Sequence, residues 1–263
     1  LTPGGVGRNI AHDLCLLGLD VSLVSAVGDD SNGEFLLDRC RGLGMDVSRV
    51  RVVPGARSSS YLYITDERGD MQLAVNDMAV CNEISPEYLE RVLPGIQAGA
   101  LVLDTNLPVE SLEFICCSSC IPLYADPGSS GKARKLRSVM KHLRAIKPNA
   151  LEAAALTGQT DPELAARALI DEGVQRVFIS LGTNGMIAAE GSRVLRMPSP
   201  EANVVNATGA GDAAMSAIVW ADLHGLSLED SARAAQLAGA ITCASEESNA
   251  PELSRLPGLL AAE

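Results

Sequence analysis

Asn206-Ala207-Thr208-Gly209-Ala210-Gly211-Asp212 is the stretch on which the reading of this chain turns. Two glycines and an alanine leave almost no side chain on the loop, and Asp212 opens a long helical run, Ala213 to Trp220. A glycine-rich loop feeding a helix N-terminus exposes backbone N–H groups, and the helix dipole favours an anion there. A carboxylate at the same place can accept a proton. An anion site beside a base is what phosphoryl transfer to a hydroxyl requires. Two other readings compete. Gly209 to Ala214 also fits the dinucleotide pattern G-x-G-x-x-A, although the residues through Ala240 read as two consecutive helices rather than the second half of a βαβ unit. A structural turn with Asp212 as helix cap is the other.

Outward from this loop, helical and strand patterns alternate, which argues for a mostly parallel sheet covered on both faces. Val6, Ile10, Leu14 and Leu17 fall at helical spacing, with Gly18 as the stop. Val21 to Val27 reads as a strand and Glu34 to Leu43 as a helix ended by Gly44. Ala100 to Asp104, Ile121 to Asp126, Arg144 to Lys147 and Arg176 to Leu181 read as short strands, the first two ending in an acid. Asp161-Pro162 starts a helix, and Ser227 with Asp230 suggests a capping box. One segment departs from the alternation. Tyr61–Thr65 and Met71–Val75 form a hairpin around Asp66–Asp70, read as a lid, an oligomerisation edge or a plain sheet edge.

Composition narrows the class. The 263 residues fit one large α/β domain, and 21 basic against 33 acidic side chains give a net charge of −12. That charge repels nucleic acid polymers, while a small nucleoside or sugar remains compatible. Seven scattered cysteines, an odd number, suit reduced thiols and a cytoplasmic protein. Cys117-Ser118-Ser119-Cys120 has no second pair or nearby histidine for zinc, and His12, His142 and His224 receive no catalytic role. No run of eighteen apolar residues predicts a membrane span, and no signal peptide is visible.

Four shorter motifs complete the set. Gly4-Gly5-Val6-Gly7-Arg8-Asn9 opens a helix, with Asn9 placed to hold a ligand hydroxyl. Asn149 and Glu152 share a helical face at the end of a strand, equally suited to a Mg²⁺ ion with its waters and to a capping box. Ser180-Leu181-Gly182-Thr183-Asn184-Gly185 follows a strand and is either a nucleotide approach or a tight turn. Gly128-Ser129-Ser130-Gly131-Lys132-Ala133 fails as a Walker loop, because the spacing is short and Ala133 replaces the metal-binding hydroxyl.

Taken in order, the Gly4-Gly5…Asn9, Asn149-x-x-Glu152 and Thr208–Asp212 elements resemble the PfkB (ribokinase-like) family of carbohydrate kinases over essentially the whole chain. The resemblance implies a three-layer α/β/α sandwich with a mostly parallel central sheet and a small β lid. It implies one kinase domain over residues 1–263, with residues 51–77 as a lid insertion. ATP and Mg²⁺ are the implied cofactors. Asp212 would be the base, with the N–H groups of Gly209, Ala210 and Gly211 as the anion hole. Gly4, Gly5, Asn9, Asn76 and Asp77 would bind the substrate, and Asn149, Ser180, Gly182, Gly185 and Thr208 would lie along ATP. Asn149 and Glu152 would position the metal. Within the family, Thr2–Ala11, Ser59–Leu62, Val75–Met78 and Val205–Ala213 are similar to the pseudouridine kinase group, which implies phosphorylation of the pseudouridine 5′-hydroxyl. Other nucleoside and sugar kinases of the family, or a catalytically weak nucleoside-binding relative, are the alternatives. The exposed lid suggests a homodimer. Relatives carry a strand with a sugar-binding aspartate ahead of the first signature. This sequence starts after it, so either the chain is a fragment or the enzyme has lost part of its ribose site, which would leave a sheet edge unpaired. Many relatives have Asp-Thr where this chain has Asn206-Ala207, so the neutral Asn206 gives no ground for potassium activation.

Overall fold

The computed structural model describes residues 2–65 and 71–261; the expected hairpin turn at 66–70 lies outside them. The elements run α1 (Val6–Leu16), β1 (Ser25–Gly28), α2 (Ser31–Gly42), β2 (Val50–Val53), β3 (Ser60–Thr65), β4 (Met71–Asp77), α3 (Pro86–Val92), β5 (Leu101–Asp104), α4 (Val109–Ser118), β6 (Leu123–Asp126), α5 (Ser130–Ala133), β7 (Leu143–Ile146), α6 (Ala150–Thr157), α7 (Pro162–Asp171), β8 (Arg176–Ser180), β9 (Met186–Glu190), β10 (Arg193–Met197), α8 (Ala210–Leu223), α9 (Leu228–Cys243) and α10 (Leu256–Ala261). The main sheet has the order β10-β9-β8-β7-β6-β5. β5 to β8 are parallel, and β9 and β10 add an antiparallel margin.

Alternation along the strands builds two cores. Leu123, Ala125, Val177, Ile179, Ile187 and Ala189 face Leu112 and Ile115 of α4, Ala153 and Leu156 of α6, and Leu169 of α7. Tyr124, Phe178, Met186 and Ala188, one residue out of step, face Ile10 of α1, Met215 and Ile218 of α8, and Ala232 and Ala235 of α9. The result is a three-layer α/β/α sandwich. Among the described residues, no helix is long and apolar enough to cross a membrane.

Two small sheets stand apart from the main one: the parallel pair β1–β2 and the antiparallel ribbon β3–β4. The expected strand over 21–27 shortens to β1 after an isolated bridge at Ser22. Asp161 caps α7 as read, accepting from Glu163 and Leu164 N–H, both at 2.9 Å. At α9, Ser227 accepts from Asp230 N–H, but the Asp230 carboxylate takes the Ser227 hydroxyl rather than its backbone, so only half of a capping box forms.

Candidate active site

Asp212 sits in the first turn of α8 and is partly buried. Burial pushes its pKa up to about 7, Asn9 and the nearby positive charges of Lys147 and Arg8 oppose that rise, and Asp126 adds to it. Asn9 Nδ2 donates to Asp212 Oδ2 at 2.7 Å. Arg8 donates to the Asn9 amide oxygen, which fixes that amide with its N–H₂ end toward the carboxylate. The N-terminal and C-terminal signatures therefore meet across 203 positions of sequence, with α1 packed on α8 and Ser216 Oγ donating to the Ile10 carbonyl at 3.2 Å.

The loop ahead of Asp212 is held from behind. Asn206 Oδ1 accepts from Thr208 N–H at 2.9 Å, and Asn206 Nδ2 donates to the Glu246 carbonyl at 3.0 Å. Gly209 has φ +87°, and a Cβ there would lie 2.0 Å from the Ser248 carbonyl oxygen, so only glycine lets the loop close on that segment. At the start of α8, Ala210 N–H makes only a long contact to the Ala207 carbonyl, 3.4 Å, and the helix N-terminus favours an anion.

Beneath the loop lies a pair to which the sequence reading assigned no role. Lys147 and Asp126 stand just after β7 and at the end of β6, both buried, with Nζ 3.2 Å from Asp126 Oδ2. Burial disfavours the charge on Lys147, but Asp126 and Glu152 outweigh it and raise its pKa. A Cβ at Gly211 would come within 3.3 Å of that ammonium, so the second glycine of the loop makes room for a cation under the anion site. The available signal was positional: acidic and basic residues at the C-terminal ends of adjacent parallel strands, where open α/β sheets place their sites.

Asn149 and Glu152 form a complete capping box at α6, with Asn149 Oδ1 accepting from Glu152 N–H at 2.9 Å and Glu152 Oε2 accepting from Asn149 N–H at 2.8 Å. The cap uses one Glu152 oxygen; burial raises that carboxyl, while the Asn149 amide and Lys147 lower it. Asn149, Ser180 and Gly182 line one open cavity of about 440 Å³, joined by Leu181 and by Arg196, which sequence reading missed. Gly185 lies outside this lining; it closes the turn by accepting from Leu181 N–H at 2.8 Å. Gly4 and Gly5 are exposed at the start of α1, with Gly5 at its N-cap. Asn76 and Asp77 are exposed at the base of the ribbon, and Asp77 caps the turn through Ala79 N–H. Among the described residues, no hydrogen bond joins either to Asp212.

A carboxylate held by Asn9, a helix start, a buried cation and an open cavity are groups of the kind that phosphoryl transfer uses. The comparisons agree. The model of the pfkB family carbohydrate kinases matches residues 1–255. Over 261 residues the chain is 38% identical to pseudouridine kinase of Escherichia coli K12, covering 96% of this chain and 83% of that one. It is 37% identical over 262 residues to the uncharacterized sugar kinase YeiI of the same organism, covering 96% and 72%. The crystal structure of ribokinase from Thermotoga maritima superposes with a TM-score of 0.88 at 20% identity, over all of this chain and 88% of that one, so the fold is ribokinase-like. With its signatures meeting at Asp212, this chain belongs to the pfkB family of carbohydrate kinases and is a phosphotransferase acting on a sugar or nucleoside hydroxyl.

Proposed function

We propose that this enzyme transfers the γ-phosphoryl group of ATP to the ribose 5′-hydroxyl of pseudouridine. The observation that carries the chemistry is the Asn9–Asp212 hydrogen bond at the anion-binding start of α8. What favours this acceptor is the 38% identity to pseudouridine kinase. The similar identity to a sugar kinase of unknown substrate is why other nucleosides and sugars belong in the test.

The residues fit the cofactors on chemical grounds: a helix N-terminus, a cation below it, and a carboxylate oxygen of Glu152 outside the cap. When bound, ATP supplies the transferable phosphoryl group and Mg²⁺ neutralises its oxygens. Asp212 takes the proton of the attacking hydroxyl, and Asn9 aims its carboxylate. Amides of Gly209, Ala210 and Gly211 hold the negative charge that develops, with Lys147 adding positive charge beneath. Asn149, Ser180, Gly182 and Thr208 would line the nucleotide, with Gly185 shaping the turn beside it. Glu152, with Asn149, would orient the metal through its waters. Gly4, Gly5, Asn76 and Asp77 would meet the nucleoside as the β3–β4 ribbon closes over it and excludes water. Free thiols throughout the chain fit a cytoplasmic setting.

A coupled ADP-release assay with pseudouridine, uridine, adenosine, ribose and fructose tests the acceptor. The highest kcat/KM is expected for pseudouridine; turnover of uridine or a free sugar without pseudouridine would overturn the assignment.

A further inference from the structure

Asp13 is a buried acid behind the site, and nothing above uses it. It lies four residues beyond Asn9 on α1, on the same face, and is fully buried. Its Oδ1 accepts from Asn249 Nδ2 at 2.8 Å, and its Oδ2 has no hydrogen-bond partner among the described residues. A carboxyl buried with one oxygen unmet is unfavourable, so a space-filling role would be better served by an apolar side chain. Burial, reinforced by Asp212, pushes Asp13 up to about 7.

The geometry shows what this arrangement secures. Asn249 Nδ2, the donor to Asp13, also donates to the Asn9 carbonyl at 3.0 Å, and Asn249 is itself buried. Residues 245–249 form the segment behind the anion loop. The Glu246 carbonyl takes Asn206 Nδ2, and the Ser248 carbonyl closes against Gly209. One side chain thus ties α1, where Asn9 aims Asp212, to the segment that backs the Gly209 turn.

We propose that Asp13 is a positioning residue for phosphoryl transfer, acting through Asn249 to keep the Asn9–Asp212 pair and the Gly209 turn in register. This rests on Asp212 being the base. Its hydrogen bonds reach the reacting groups only through Asn249 and Asn9, so loss of Asp13 slows the chemical step more than it weakens binding.

The test compares Asp13→Ala, Asp13→Asn, Asn249→Ala, the Asp13→Ala/Asn249→Ala double variant and Asp212→Asn in full-length enzyme. Each is assayed with ATP and the acceptor that the wild type turns over best, below the melting temperature of each variant. Asp13→Ala is expected to lower kcat by about tenfold or more, with both KM values within about threefold of wild type, as misplacement of reacting groups does. Asp13→Asn keeps an acceptor for Asn249 and is expected to restore kcat to within about threefold. Asn249→Ala should match Asp13→Ala, and the double variant should be no worse than either, because the two act as one unit. Wild-type kcat in Asp13→Ala or Asn249→Ala, a rise in KM with kcat kept, or losses that multiply in the double variant would overturn the inference. If Asp13→Ala does not fold, retained kcat in Asp13→Asn against lost kcat in Asn249→Ala supports it, and any other pairing overturns it. Wild-type turnover in Asp212→Asn would instead remove the base assignment on which the inference stands.

Discussion

At the scale of single residues, the proposed base is a carboxylate partly withdrawn from water. With its pKa raised from 3.8 to about 7, Asp212 is a stronger base than an exposed aspartate and remains half ionised at neutral pH. Asp212→Asn is expected to lower kcat by about 10²–10⁴-fold while the fold persists; a variant at wild-type rate would show that another group takes the proton. In the wild type, kcat/KM should fall below about pH 7 as Asp212 protonates. The same shift bears on stability with a definite sign. Between pH 3.8 and about 7 the folded chain binds more protons at this site than the unfolded chain, so its contribution to stability falls as pH rises through that window. Melting the wild type and Asp212→Asn side by side at several pH values should show the wild type losing ground to the variant as pH rises. Lys147 carries the complementary prediction. Lys147→Met leaves Asp126 buried without its cation and is expected to cost about 3–5 kcal/mol in a denaturant titration; a loss under 1 kcal/mol would mean that the pair contributes little to stability.

At the scale of elements, local chemistry was readable and long-range geometry was not. Asp161-Pro162 announced α7 because a cap acts within four residues, and Asn149 with Glu152 announced α6 for the same reason. The β9–β10 hairpin escaped notice: Met186 to Ala189 are all buried, so they show no alternation, and two alanines are weak strand formers. The motifs of the site were legible one by one. The Asn9–Asp212 bond, the Lys147–Asp126 pair under Gly211 and the Asp13–Asn249 tie were not, because each depends on how distant elements pack. Asn149-x-x-Glu152 shows why both of its readings had force, since the cap is formed and half of the Glu152 carboxylate lies outside it. Glu152→Gln separates them. Glutamine keeps the cap, so the melting temperature should hardly move, while the Mg²⁺ concentration for half-maximal rate should rise severalfold. A lower melting temperature with unchanged Mg²⁺ dependence would make Glu152 a capping residue alone.

At the scale of the whole molecule, the β3–β4 ribbon stands out because large apolar side chains on it are exposed. Its register sets Leu62 opposite Val75 and Ile64 opposite Leu73, and residues two apart on a strand share a face. These four side chains are 70%, 60%, 62% and 57% exposed, a continuous apolar strip on a two-stranded sheet. An isolated ribbon of two strands is marginal in water, and an exposed strip of this kind usually marks a contact. A second copy of the chain, laying its ribbon against the first, would cover the strip on both molecules with one symmetric contact. Charge works the other way: two chains of net charge −12 repel, and salt weakens that repulsion. The expected outcome by light scattering after gel filtration is therefore a dimer that tightens between low and moderate salt. Leu62→Glu with Leu73→Glu, which adds charge to the middle of the strip, should give a monomer at every salt concentration. A wild-type monomer throughout would leave the strip to the substrate alone, as the inner face of a lid.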